Sequence, residues 1–465
     1  MSVTKKITLV LALLILASLA CEYLPTQEPE VDVVATAVAE TLTAATTVDP
    51  ATNTPGSTTE LTAEPTTELT AEPTIEPTIE PTAEPTVEPP PFLQVAYVKD
   101  GDVWHWNEDG ITLQLTYLGD VTSVVLSDDG QVAAFIRGTD YINQQLGAVN
   151  TDGTNLRTLV SLADFTTMIA HPDALSAVPY RLAWVPGTHI LAFNTRMTFE
   201  GPGLILPDEL RQVDADTLTL STLLPAGQAG DFYYSPDGSQ IALVTGTLIS
   251  VVDEDGSNRR DLLTFPIVIT YSEYNYYPPV VWSPDSSFLR AAIPPHDPLI
   301  DPPELTTIWH LPADGSPPSI LTTLTPVPFF HEIPSISPDM SKLAYLTIVT
   351  PGAPPIVDLH LSNIDGSGDV IYNSGDRDFE AWSTDSAHFI FSEGGHNPKI
   401  GQLGSPPQSI TGVTLMLDIQ WVDETHFLYL NRLSGSWELR LGELGAPGIF
   451  IGSTSGDHIW YDFAR

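Results

Sequence analysis

Between about residue 92 and the C-terminus, short apolar runs alternate with turn clusters, and the pattern is clearest in Gly230–Leu263, GDFYYSPDGSQIALVTGTLISVVDEDGSNRRDLL. Phe232, Tyr233 and Tyr234 predict a short aromatic strand. Ser235-Pro236-Asp237-Gly238 then turns the chain. Proline presets φ near −65°, aspartate bonds its own backbone, and glycine supplies positive φ. Ile241 to Val244 is an unbroken apolar run, as expected of a strand covered on both faces. Gly246 ends it, and Leu248 to Val252 predicts a third strand. Asp253 to Asn258 is a second turn, and Arg259 to Leu263 begins a fourth strand. Four strands with two glycine turns make an antiparallel meander.

Weaker copies fill the chain at a spacing of roughly 40 to 55 residues, the period of β-propeller blades. The first turn returns at Ser127–Gly130, Val185–Gly187, Ser283–Ser286, Ser337–Met340, Ser383–Ser386 and Val422–Glu424. The second returns at Glu108–Gly110, Thr151–Gly153, Asp214–Asp216, Ala313–Gly315, Ile364–Gly366, Leu403–Ser405 and Leu444–Ala446. That makes seven first turns against eight second turns. The first unit begins at its second strand, Val95 to Val98, and the chain ends on an inner-strand pattern, Ile459 to Phe463. Joining that last strand to the first unit closes a ring and removes free sheet edges. The expected fold is therefore an all-β propeller of four-stranded blades. Eight blades are expected, or seven if Ala163–Trp184 is misread. The segment SPDGSQIALVTGTLISVVDEDGSNRR resembles the TolB-like, WD-repeat-like propeller repeat of bacterial envelope proteins. The resemblance covers about Phe92 to Arg465 and implies a fold without implying a reaction.

Ahead of the repeats lie segments of other kinds. Residues 1–20 read as an export signal: Lys5 and Lys6 precede the apolar run Ile7 to Leu16, and small residues follow. Cys21, the sole cysteine of the chain, comes next. Ser18-Leu19-Ala20-Cys21 resembles the lipobox of bacterial lipoproteins, departing from it at Ser18, where an aliphatic residue is usual. The resemblance implies a lipid on Cys21, each buried methylene contributing about 0.8 kcal/mol to membrane attachment. An ordinary secretory signal with a chance cysteine is the alternative. Residues 21–91 read as a disordered linker. It holds about fourteen acidic residues and no Lys or Arg, and its Glu-Pro-Thr repeats cannot build a core. Proline and like charge make it a semi-rigid stalk lifting residues 92–465 off the membrane.

Over all 465 residues, 17 Lys and Arg stand against 59 Asp and Glu, a net charge of −42. Such a balance argues against nucleic acid and against electrostatic docking on anionic lipid. One cysteine excludes an intrachain disulfide and a thiolate cluster.

In a propeller meander, first-to-second and third-to-fourth turns share one face, and here they are short and uniform. Second-to-third and between-blade loops share the other, and here they are long and varied, the setting in which binding is built. They include Gly138–Gln144, Asn194–Asp208, Thr347–Val357, Glu393–Lys399, Leu162–Pro179 and Pro266–Pro279. Two patches stand out on this face. Tyr271, Tyr274, Tyr276 and Tyr277, with Phe329, Phe330 and His331, offer rings for a glycan or protein partner, or fill the tunnel mouth. His171, Asp173, His296, Asp297, Asp301 and His331 offer metal-ligating atoms, or are solvated loop residues. Trp184, Trp282, Trp382 and Trp421 precede the first turns, a regularity that predicts blade-to-blade packing.

No catalytic residue or cofactor is indicated. Gly452–Gly456 has the outline of a nucleophile elbow, but Thr454 stands where serine is required. The expectation is a lipid-anchored propeller on the outer side of the cell membrane, binding a protein or glycan through its long-loop face. The alternatives are a polysaccharide lyase or hydrolase using the His/Asp patch, and a structural component of the envelope.

Overall fold

A computed structural model describes residues 92–465 except 202–204, 301–303, 326–331, 351–355, 376–377, 395, 414, 434 and 457. The export signal, Cys21 and the stalk lie outside the described residues, as do Asp301, Phe329, Phe330 and His331. The strands form eight four-stranded antiparallel sheets, each a propeller blade. Blade 4 follows the predicted meander: Asp231–Tyr234, Gln240–Val244, Leu248–Asp253 and Arg260–Thr264. Ile241 to Val244 are wholly buried, as an apolar run sandwiched between neighbouring blades must be.

The ring closes as the turn count predicts. Tyr461–Ala464, at the end of the chain, pairs antiparallel with Gln94–Lys99 and supplies the inner strand of blade 1. Its Asp462 accepts a hydrogen bond from the Leu126 amide of blade 2 at 2.8 Å. Burial pushes that carboxyl up to about 6, against the Leu126 and Phe463 amides that favour its charged form.

Each interface between successive blades holds its own apolar cluster. The recurring tryptophans belong to these seams. Trp184, Trp282 and Trp382 each donate their indole N–H to the inner strand of the preceding blade, at Val125, Tyr233 and Ser335 carbonyls. In three blades a glycine faces a phenylalanine across a strand pair: Gly147 with Phe135, Gly401 with Phe389, and Gly442 with Phe427. A Cβ at Gly401 would stand 2.2 Å from the Phe389 ring, so the aromatic occupies the space a side chain would need.

The short turns are built alike. Ser235 donates its hydroxyl to Asp237 Oδ1 at 2.6 Å, and the Gln240 amide donates back to Ser235 Oγ at 3.0 Å. Ser127, Ser283, Ser337 and Ser383 repeat the bond to the aspartate two residues on. The acids of Asp253–Asn258 likewise serve the turn: Asp255 accepts from the Ser257 amide and Asp253 from Asn258.

Two loops expected on the opposite face are largely strand in their described residues. In blade 6, Lys342–Thr350 and Ile356–Asn363 stay paired as far as Thr350 and Ile356, because β-branched Thr347 to Thr350 continue the ladder. In blade 7, Glu393 pairs with His396 across a tight hairpin in which Gly394 takes φ +61°. In blade 2 the expected loop stands at residues 139–143, between Gly138 and its strand partner Gln144. The loop expected at Leu162–Pro179 instead contains a helix, Leu162–Thr167, and the start of the inner strand Ser176–Trp184. Ser161 and Asp164 form its capping box, an S-x-x-D signal present in the sequence. Among the described residues no helix is long and apolar enough to cross a membrane.

Candidate functional site

The long-loop side carries a cleft of about 690 Å³ at blades 3 and 4, overhung by Tyr141 from the hairpin of blade 2. One wall comes from the connection between blades 4 and 5. There Pro278 and Pro279 hold the backbone extended ahead of the next strand, and Tyr274, Asn275, Tyr276 and Tyr277 line the cleft. The loop rests on the blade 4 hairpin, where Asn275 and Tyr277 lie 3.7 Å from where a Cβ on Gly246 would sit, an ordinary contact distance. The other wall comes from blade 3, with Tyr180 on its inner strand and Arg196 and Asp208 further out.

Two carboxylates are part of the lining. Asp208 sits at φ +53°, a backbone state that asparagine and aspartate tolerate better than most residues. Tyr277 donates its hydroxyl to Asp208, 3.0 Å from each carboxylate oxygen. Burial nevertheless raises the Asp208 carboxyl to about 6, outweighing the Tyr277 hydrogen bond, with Glu209 and Asp231 adding smaller repulsions. Asp231 is also raised by burial, partly offset by Arg181 at 4.0 Å. The Arg181 guanidinium lies over the Tyr233 ring, 4.1 Å from its centre. Beneath the cleft, Glu209 is buried and accepts from the Thr195 hydroxyl at 2.6 Å. Burial and neighbouring charge raise the Tyr276 and Tyr277 hydroxyls above their ordinary range, so both stay protonated donors at neutral pH. The cleft thus offers aromatic faces, hydroxyl donors and carboxylate acceptors at close quarters.

Of the tyrosines singled out in the sequence, Tyr274, Tyr276 and Tyr277 meet in this cleft. Tyr271 does not line it; its hydroxyl donates to Asp297 Oδ1 at 2.6 Å, tying two loops together. His296 serves the same junction, with Nδ1 2.5 Å from the Ile267 carbonyl. His171 accepts from the Asp173 amide at 3.2 Å and packs edge-on against Phe199. Among the described residues, no three His, Cys, Asp or Glu side chains gather into a group able to hold a metal. Thr454 lies in the outer strand of blade 8, its hydroxyl donating to Asp100 at 3.2 Å.

Tyr141, Tyr180, Arg196, Asp208 and Asp231 were not singled out from the sequence. Asp208 closes a segment read as a binding-face loop, and Asp231 opens the inner strand of blade 4. Neither signal reveals that the two carboxylates face one hollow.

No family model matches the chain, and no curated protein matches its sequence. Among solved structures, dipeptidyl peptidase 4 from Porphyromonas gingivalis is similar, with a TM-score of 0.51 at 9 % identity, over 76 % of this chain and 56 % of that one. TolB from Acinetobacter baumannii matches with a TM-score of 0.31 at 15 % identity, over 59 % of this chain and 61 % of that one. An oligogalacturonate lyase in complex with manganese matches with a TM-score of 0.43 at 14 % identity, over 74 % and 82 %. At such identities the likeness to the peptidase shows the propeller fold alone.

Proposed function

We propose that this protein is a lipid-anchored propeller on the outer side of the cell membrane that binds a glycan in the cleft at blades 3 and 4. The observation that carries the reading is the combination of Tyr180, Tyr274, Tyr276 and Tyr277 with the half-buried Asp208 and Asp231 in one concave site. Sugar rings have apolar faces for aromatic contact and hydroxyls for carboxylates and phenols. A hollow favours a small ligand over a flat protein surface. The anchor is a lipid on Cys21, and the acidic stalk carries the propeller away from the membrane.

Residues 92–465 contain the whole closed ring, so this fragment suits a glycan array. Binding is expected, and Tyr276→Ala should weaken it by about tenfold. Silence across the array would sink the reading. Fatty-acid labelling should disappear in Cys21→Ala; unchanged incorporation would remove the anchor.

A second reading, a hydrolase acting on the same glycan, is favoured by the Asp208 carboxyl, which burial brings to about 6 beside Asp231. Glycosidases use such a pair, one carboxyl protonated and one ionised. It predicts reducing ends released from a bound glycan by the natural chain and not by Asp208→Asn.

A further inference from the structure

We infer that the ligand is a linear glycan chain without acidic groups, running from the tyrosine cleft into the central channel, where Trp460 forms a second stacking platform. This deepens the glycan reading above and rests on it. The inner strands of blades 8, 1, 2 and 3 wall a second hollow of about 1010 Å³ in the channel. Tyr180 lines both hollows, so they adjoin one another at that side chain.

The tryptophans at the blade seams, Trp184, Trp282, Trp382 and Trp421, are 7 to 9 % exposed, whereas Trp460 is 54 % exposed on the channel hollow. An open indole forgoes the largest apolar burial available to any side chain. Trp460 is nevertheless held in place. Its carbonyl accepts from the Val98 amide at 2.8 Å, and the His458 ring packs edge-on against it with centres 4.9 Å apart. His458 touches Trp437 behind, and its Nε2 lies 2.8 Å from Asp418 Oδ2. Asp418 takes φ +47° where the register of blade 8 shifts between Leu417 and Gln420. Such a bulge re-aims a side chain at a local cost in strain, and both features cluster at functional sites. Here it turns Asp418 towards His458. A ring that merely failed to find cover would need no such clamp.

Charge narrows the chain's chemistry. Asp128, Asp418 and Asp462 line the channel hollow with Arg181, and Asp208 and Asp231 line the cleft with Arg196, so five carboxyls face two guanidinium groups in a chain that carries −42. A polymer of uronic acids or phosphates would meet this field of like sign, whereas an uncharged chain meets acceptors for its hydroxyls.

The test titrates the full-length chain by calorimetry with di- and hexasaccharides of cellulose, xylan and chitin. For at least one polymer the hexasaccharide should bind about tenfold more tightly than the disaccharide. Trp460→Ala should erase that gain and leave the disaccharide affinity unchanged, while Trp460→Phe restores part of the gain. Oxidation of Trp460 by N-bromosuccinimide, followed by peptide mapping on the natural protein, should be slowed by the hexasaccharide only. Disaccharide binding without a length gain, or a gain that survives Trp460→Ala, overturns the channel platform and leaves the cleft standing. No binding of any probe, together with a silent glycan array, overturns both.

Discussion

The two ends of the ring treat their carboxylates in opposite ways. On the short-turn face the hydroxyl of Ser235 and the Ser239 amide hold Asp237 down to about 2. Ser283 and the Ser287 hydroxyl and amide lower Asp285 in the same way. At Asp339 burial pulls upward, but the hydroxyls of Ser337 and Ser341 win and bring it to about 2. In the cleft and along the inner strands the balance reverses. Burial lifts Asp208 and Asp462 to about 6, Glu380 to about 7 and Glu332 to about 8, the glutamates also repelled by Asp378. Both sets are acids in a strongly acidic chain, yet the first are structural anions saturated by their own turns. The second have given up solvent for donors too few to offset the burial, so their charged forms are disfavoured. Composition and net charge cannot tell the two sets apart.

The comparison is broken most severely by opening the ring. Deleting residues 461–465 bares the edge of Gln94–Lys99 and removes Asp462 from Leu126, and loss of cooperative unfolding with aggregation is expected in a thermal scan. Next come single changes on each face. Ser235→Ala leaves the Gln240 amide and the Asp237 carboxylate without their shared hydroxyl and should cost about 1–3 kcal/mol in urea unfolding, with glycan binding intact. Tyr274→Ala, on the exposed lip of the cleft, should cost under about 0.5 kcal/mol of stability yet weaken binding. Equal stability losses at the two sites would erase the distinction between scaffold face and binding face.

Titration sharpens it further. The turn aspartates have folded values below their unfolded ones, so their stabilisation is full above about pH 4 and is lost as pH falls towards 2. The raised carboxyls do the reverse: their penalty begins as pH rises through about 4 and is complete above about 8. The melting temperature should therefore peak near about pH 4–5 and decline towards pH 8. Glu332→Gln should recover on the order of 2 kcal/mol at pH 8 and nothing at pH 4, as differential unfolding at the two pH values would reveal.

The smallest effect concerns His189 on the short-turn face, which bridges Asp129 at 3.1 Å and Asp216 at 3.0 Å across blades 2 and 3. Burial lowers its basicity, but the two carboxylates outweigh burial and raise it above the ordinary value. Its contribution is full below the unfolded value of about 6.5 and fades as pH rises through the folded one. His189→Gln should lose under about 1 kcal/mol at pH 5 and nothing at pH 9 by thermal unfolding.

How much of this was legible varies with the kind of residue. The Ser-x-Asp turns could be read one by one, because a serine, an aspartate and a following glycine or serine satisfy one another within five residues. The tryptophans announced the seams because they recur at a constant offset from those turns. The tyrosine run at Tyr274, Tyr276 and Tyr277 was visible as composition, and its place in a cleft followed from its loop. Tyr271 and His296 belonged to the same visible patches but spend their polar atoms on tying loops, which spacing cannot reveal.

By itself the sequence determined the four-stranded blades, their turns and the closing strand, leaving the count at eight or seven, since alternation and turn chemistry act over a few residues at a time; the structure fixed it at eight. The shared concavity of Tyr180, Asp208, Asp231 and Tyr277 was decided only by tertiary structure, because it depends on how two blades and the following loop meet. So was the exposure of Trp460, whose sequence setting is that of an ordinary inner strand. Solvent access and desolvation are properties of the surroundings a fold assembles, and those surroundings come from positions far apart in the chain.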